Sequence, residues 1–410
     1  MRATSDPPNR LVSGPARTGS IRAHNLALLL RTVAEAADPP SRAALSTATG
    51  LTRASVSSLV DTLVAGGLLV ETGVPTRSGV GRPSTGLALD ASGPAGLGLE
   101  LNVDHASALI VDLSGAVRAQ KTEYGAGSSG RLASLARDMA STAREQGLAL
   151  AGAALAVPGL IDSGSGDVLI APNLGTRSAL GARGFADLVV GIGAATALPA
   201  DRISVENEAT LAARAERRAA GPAGPRSFLQ ISGEVGIGGG LVLDGQIYQG
   251  RHGWSGELGH VTVRPGGRPC GCGSDGCLEQ YAGQQAILRT AGHADDRAAT
   301  IAERARAGEP SMLTALAEAG EALGIALAGA LNLLDLDAVV LGGLHAELAP
   351  WLAGPIESQL RRRLITARFA LPAITPSALG GNASVLGAAW SVLDRVIDDP
   401  LAYLRDGRTD

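Results

Sequence analysis

From Ile21, Leu26, Leu29, Leu30 and Val33 recur at helical spacing, which predicts an amphipathic helix to about Ala37, ended by Pro39-Pro40. Ser41 is placed to cap a second helix carrying Ala44, Leu45 and Ala48, and Gly50 to make the turn after it. Thr52 is placed to cap a third helix, whose apolar face is Val56, Leu59, Val60 and Leu63 and which Gly66-Gly67 ends. Two short helices about a glycine turn predict a helix-turn-helix. Leu68–Val70 and Gly86–Leu89 read as paired strands around the loop Arg77-Ser-Gly-Val-Gly-Arg82-Pro, completing a winged helix over residues 20–90. Residues 1–19 are rich in Pro, Gly, Ser and Arg without periodicity, and are expected to be a mobile arm.

Beyond Asp90 the period shortens. Strands are expected at 97–103, 107–113 and 116–122, then a helix over 131–145 and a buried strand over 151–157. A similar order returns with strands near 227–232, 237–243 and 246–248, a helical region, and an apolar strand at 337–341. Two βββαβ units predict a duplicated α/β fold of two lobes with a cleft between them. Lobe one is expected over about 95–205 plus a C-terminal helix at about 382–398, and lobe two over about 206–381.

The chain's 410 residues are 45% hydrophobic, enough for two or three domains with substantial cores. The longest apolar run, Gly324 to Leu334, is about half a membrane span, and no apolar signal segment precedes the first helix. A cytoplasmic location with no membrane partner is expected. Charge is uneven: residues 1–90 hold nine Arg against six acidic residues, a net +3, leaving 26 basic against 33 acidic residues, or −7, for the rest. The basic end is therefore the expected nucleic-acid end. On the third helix Arg53, Ser55, Ser57 and Ser58 are candidates to face the major groove of operator DNA. Arg77 and Arg82, in a small-residue loop, suit the minor groove. Winged helices usually read paired half-sites, so a homodimer or higher homo-oligomer is expected.

All three cysteines, Cys270, Cys272 and Cys277, lie on one glycine-rich loop shortly after His260. Three thiolates and one imidazole make the closed tetrahedral set that a structural zinc ion (Zn2+) prefers. The alternative is a disulfide with one thiol left over, which an odd cysteine count disfavours. Glu257 and Glu279 flank the loop. Closing it on a metal brings two carboxylates towards one place, where they can hydrogen-bond sugar hydroxyls; the other reading makes both of them solvated loop charges.

The whole pattern, Glu-x-Gly-His followed by Cys-x-Cys-Gly-x-x-Gly-Cys-x-Glu, resembles the signature of the ROK family of bacterial sugar kinases and sugar-responsive repressors. The resemblance covers roughly residues 95–395 and implies an actin-like ATPase (ribonuclease H-like) fold. It also implies that His260, Cys270, Cys272 and Cys277 hold zinc while Glu257, His260 and Glu279 touch a sugar. Pro172-Asn173-Leu174 and Val205-Glu-Asn-Glu-Ala209 resemble further sugar-side segments, adding Asn173, Asn207 and Glu208 to the sugar-binding set.

The sequence departs from the kinase pattern where nucleotide and chemistry are concerned. The first phosphate hairpin, Asp-x-Gly-x-Thr in the kinases, is replaced by Glu100-Leu-Asn-Val-Asp104. Without its glycine the backbone cannot approach a phosphate closely, and two carboxylates repel one. In the second hairpin, Gly233-Glu-Val-Gly-Ile-Gly-Gly-Gly240, Val235 stands in place of threonine. Glu208 stands where the kinases carry the general-base Asp, a longer side chain that misplaces the base. No catalytic residue is therefore expected. The expectation is a sugar-responsive transcriptional repressor of carbohydrate-utilisation genes whose kinase-like domain serves as sensor, with an active sugar kinase fused to a DNA-binding module as the alternative.

Overall fold

The computed structural model describes residues 18–76, 84–125, 128–162, 164–171, 174, 181–233 and 236–406. Residues 1–17 of the expected arm lie outside them, while Thr18 and Gly19, assigned to that arm, already belong to the first helix.

The N-terminal module comprises α1 (Thr18–Ala34), α2 (Arg42–Thr49), α3 (Arg53–Ala65), β1 (Leu69–Thr76) and β2 (Ser84–Leu89). The turn chemistry is as expected. Ser41 accepts from the Ala44 amide, Thr52 from that of Ser55, and Gly50 supplies the left-handed turn at φ 72° that a side chain would disfavour. β1 and β2 pair antiparallel from Leu69 opposite Leu89 to Thr72 opposite Gly86, with an irregularity before Pro75. Arg42 binds Asp61 at 2.7 Å and Glu71 at 3.0 Å, tying α2 to α3 and to the wing strand.

Two sheet bodies follow. The first is built on β3 (Pro94–Leu101), β4 (His105–Asp112), β5 (Val117–Tyr124), β6 (Ala149–Val157) and β9 (Ile203–Asn207), with β7 (Leu160–Ile161) and β8 (Val168–Ile170) forming a small hairpin. Helices α4 (Ser129–Glu145) and α5 (Gly181–Thr196) complete that body, and α6 (Glu208–Ala220) follows β9 directly. The second is built on β10 (Phe228–Gly233), β11 (Ile237–Leu243), β12 (Gln246–Tyr248), β13 (Ala338–Gly343) and β14 (Ala373–Pro376). Its helices are α7 (Glu279–Ala282), α8 (Gln284–Ala291), α9 (Ala299–Arg306), α10 (Pro310–Leu334) and α11 (Leu344–Arg363).

The sheets run β5-β4-β3-β6-β9 and β12-β11-β10-β13-β14. In each, three strands form an antiparallel meander and the last two lie parallel to the first, so the duplication is exact in order and direction. The fifth strands, β9 and β14, were not expected. The long helix α10 is apolar and long enough to cross a membrane; here its Ala and Leu face is buried in the core of the second body beside α11.

α6 and α12 (Ala383–Asp398) pack against each other between the sheets. α12 lies across β3 and β6, and α13 (Pro400–Asp406) follows it. A Cβ at Gly387 of α12 would overlap the Leu211 carbonyl oxygen of α6, and one at Gly98 of β3 would overlap that of Val385. Glycine thus lets α12 seat backbone against backbone on both neighbours. α6 also packs on β10 and β11, so a lobe boundary at residue 205 falls inside β9, just before a helix that both bodies share.

Candidate functional site

His260, Cys270, Cys272 and Cys277 come together although the loop between them has little regular structure. One ligand atom from each lies within 4.8 Å of every other. The Cys272 and Cys277 sulfurs are 3.7 Å apart and Cys270 Sγ is 3.8 Å from His260 Nδ1. Tetrahedral zinc with sulfur at about 2.3 Å gives ligand separations of about 3.8 Å, so this donor set fits a metal ion of that kind. Burial, with the neighbouring Cys272 and Cys270, pushes the Cys277 thiol up to about 12, and a cation is what would hold it as thiolate.

The loop is braced from outside. The guanidinium groups of Arg264 and Arg268 each lie 4.6 Å from the Tyr281 ring centre, and both arginines bind Glu318 of α10. The Tyr281 hydroxyl accepts from the Arg268 amide at 2.9 Å.

His260 divides its ring between two tasks. Nδ1 faces the sulfurs while Nε2 lies 4.0 Å from Glu257 Oε2. Burial raises the Glu257 carboxyl above its ordinary range; His260 opposes the shift and the charge of Glu279 adds to it. Glu279 is held by the Ile237 amide at 3.4 Å. Glu257, His260 and Glu279 are thus brought together around one spot at the edge of β11.

The other expected sugar residues part company. Asn207 caps α6, its Oδ1 accepting from the Ala209 and Thr210 amides at 2.9 and 3.1 Å, and its Nδ2 donates to the Gly159 carbonyl at 2.9 Å. One amide N–H therefore remains for a ligand. Asn207 also lines a cavity of about 850 Å³ that runs between the β7–β8 hairpin, β9 and α12, walled by Asp162, Glu206, Arg214, Asp394 and Arg395. Glu208 does not face that cavity. It is buried, accepts from Asn102 Nδ2 at 3.3 Å, and lines a void of about 10 Å³ with Glu100, Ser232 and Ser384. Asn173 lies outside the described residues.

In this small void stands the substitute for the first phosphate hairpin. Glu100, buried at the end of β3, accepts from Ser384 Oγ at 2.5 Å, and its second oxygen is 3.6 Å from His105 Nε2. His105 Nδ1 is 2.8 Å from Asp104. Burial works against charge on His105, yet Asp104 and Glu100 hold its imidazole up to about 10. Protein side chains thus form an ionic chain here that runs from the buried Glu100 through His105 to the exposed Asp104. Reading the sequence identified the lost glycine but not Ser384, which comes from a helix almost 300 residues away.

On the DNA side, Arg53 and Ser58 are exposed on α3, while Ser55 and Ser57 are half-buried. Ser55 Oγ also shares a 2.9 Å hydrogen bond with the Thr52 cap. Arg77 and Arg82 lie outside the described residues.

The pattern of the ROK family matches residues 97–395, and that of the IclR helix-turn-helix domain matches residues 24–73. The chain belongs to the ROK family. Among full-length relatives of this ROK protein is the xylose repressor of Bacillus subtilis, 29% identical over 381 residues, covering 91% of this chain and 96% of that one. The glucokinase of Streptomyces coelicolor is 30% identical over 211 residues, covering 46% of this chain. The crystal structure of a ROK family transcriptional regulator, a homolog of the E. coli MLC protein, superposes with TM-score 0.76 at 26% identity, covering 94% of this chain and all of that one. A ROK glucokinase from Streptomyces griseus, in complex with glucose and AMPPNP, covers 72% of this chain with TM-score 0.62 and 27% identity. The two glucokinases thus cover 46% and 72% of this chain, the xylose repressor and the transcriptional regulator 91% and 94%.

Proposed function

We infer that this ROK protein is a sugar-responsive DNA-binding repressor in which a kinase fold has become a sensor. The observation that carries this reading is the way the DNA module is built in. Leu26, Leu29 and Leu30 of α1 share one hydrophobic core with Leu109 and Val111 of β4 and with Trp390, Val396 and Ile397 of α12. A helix-turn-helix merely appended to an enzyme would not need that shared core.

In this reading zinc, held by His260, Cys270, Cys272 and Cys277, fixes the loop that carries the sugar ligands. Glu257, His260 Nε2 and Glu279 accept from or donate to hydroxyls of a monosaccharide or sugar derivative, with Asn207 and Asn173 completing the network from the first body. The names of the full-length relatives make a pentose such as xylose the first ligand to try. Arg53, Ser55, Ser57 and Ser58 face operator DNA from α3, and Arg77 and Arg82 face it from the wing. Two copies engage paired half-sites, in the cytoplasm, and no phosphoryl group is transferred.

The test is a fluorescence-anisotropy titration on the promoter beside this gene, repeated with a panel of sugars headed by xylose. One sugar is expected to shift the DNA affinity by at least tenfold, about 1.4 kcal/mol of coupling. No specific retention of that promoter over unrelated DNA at physiological salt overturns the repressor reading.

A further inference from the structure

The large cavity beside Asn207 reaches the DNA module through one helix. Ser391, Asp394, Arg395 and Asp398 of α12 recur at helical spacing and all line it. With its apolar side α12 packs Trp390, Val396 and Ile397 into one core with Leu26, Leu29 and Leu30 of α1. Asp398 itself pairs with Arg31 of α1 at 2.5 Å, and Leu404 of α13 packs over Gly66 at the end of α3. The cavity and the DNA module thus share α12 as a wall.

Its volume of about 850 Å³ stands near the top of the range of about 300–1,000 Å³ typical of small-molecule pockets, and a single sugar ring does not fill it. Its lining selects for a carbohydrate. Ile161, Phe185 and Val189 give an apolar stretch against which the C–H face of a sugar ring can lie. Donors are left over beside it: among the described residues the buried Arg214 Nε has no hydrogen-bond partner, Arg395 donates only to Ser204 Oγ, at 3.0 Å, and Asn207 keeps one amide N–H. The carboxylates are largely engaged. Asp394 binds Arg214 at 3.2 Å and Arg218 at 3.1 Å, and Asp162 accepts from the Gly164 and Ser165 amides at 3.0 and 2.8 Å. They keep lone pairs for hydroxyl groups. A ligand here must donate and accept along its length while resting on an apolar face, which a sugar does and an amine or a phosphate does not.

The second body reaches the cavity too, through Gln249 and Gly253, the latter four residues before Glu257. We propose that the effector is a disaccharide whose first ring is held by Glu257, His260 and Glu279 and whose second ring lies in the cavity between Phe185, Arg214 and Arg395. The proposal rests on the sensor reading, in which Asn207 binds sugar, and names the ligand class of that sensor. The second ring, not the first, meets α12, so the length of the sugar decides whether the DNA module is addressed.

Titration calorimetry and DNA anisotropy on the full chain test it, with xylose, xylobiose, glucose, cellobiose and maltose as probes. One disaccharide is expected to bind about tenfold tighter than its own monosaccharide, or better, and to shift DNA affinity at concentrations where the monosaccharide does not. Arg395→Ala is expected to bring that disaccharide down to the affinity of the monosaccharide while the monosaccharide stays within about twofold of its wild-type value. Gln249→Ala, on the second body, is expected to weaken the same preference. Monosaccharides that bind as tightly as every disaccharide and shift DNA affinity by themselves overturn the proposal and leave the sensor reading standing, as does a disaccharide preference that neither substitution moves. Silence from every sugar in both assays counts against the sensor reading, and the proposal falls with it.

Discussion

Ser384, the second residue of α12, donates a 2.5 Å hydrogen bond to the buried carboxylate of Glu100. The bond places a fixed negative charge at the head of a helix, where the macrodipole favours one. In a nucleotide-binding relative of this fold, a phosphate-gripping hairpin occupies the same end of the first strand. An anion already held there repels a second, so Mg-ATP is expected to give no thermal shift and no coupled turnover with sugars. Turnover in the range of about 1–100 per second usual for kinases would refute this.

The same cluster predicts a pH dependence. The folded-state pKa of His105 is raised from 6.5 to about 10, so its contribution to stability is fully present below about pH 6.5 and fades as pH rises towards 10. His105→Gln should therefore lower the melting temperature most at pH 6, by the equivalent of about 1–3 kcal/mol, and least near pH 10. Melting curves of both proteins across that range check it; a gap that widens with pH would contradict the assigned charge state.

Metal removal has a distinct signature. Cys272→Ser is expected to lose the single zinc per chain, read by elemental analysis, and to lose the sugar response with it. Because Arg264, Arg268, Tyr281 and Glu318 brace the loop independently, global unfolding is not expected and DNA affinity without sugar should stay near wild type. Zinc-free wild type purified without chelators would exclude the metal centre.

Glu257→Gln separates sensing from DNA reading. It should leave the sugar-free DNA affinity unchanged and abolish the sugar effect, since the amide donates where the carboxylate accepts. Arg53→Ala should do the reverse, weakening DNA binding and lowering its salt slope by about one unit for a lost phosphate contact. A normal sugar response in Glu257→Gln would break the assignment of the acidic pair.

Gly387→Ala tests the packing. Its methyl group would overlap the Leu211 carbonyl, so α12 must back away from α6 at a cost of about 1–3 kcal/mol, visible as an earlier denaturant midpoint.

What the sequence disclosed and what it withheld follow from the range of each interaction. The caps at Ser41 and Thr52, the turn at Gly50 and the cysteine loop are local, and each was legible within about ten residues. β9 and β14 were missed because a five-residue and a four-residue strand at a sheet margin carry too little alternation to stand out. Glu208 was expected to face a sugar, yet it lies in the small void because Asn102, 106 residues earlier, holds it there. Its pairing, like that of Glu100 with Ser384, is set by the closure of two sheets and leaves no trace in spacing.

Leu404 against Gly66 and Arg31 against Asp398 mean that the DNA-reading module has its foundation in the last helices of the chain. Anyone grafting residues 18–90 onto another sensor to make a chimeric switch would have to transplant α13 and the outer face of α12 with them. Without that footing the graft would expose Leu26, Leu29 and Leu30 to solvent. Its new operator would then be read by a module free to swivel, one that no sugar could instruct.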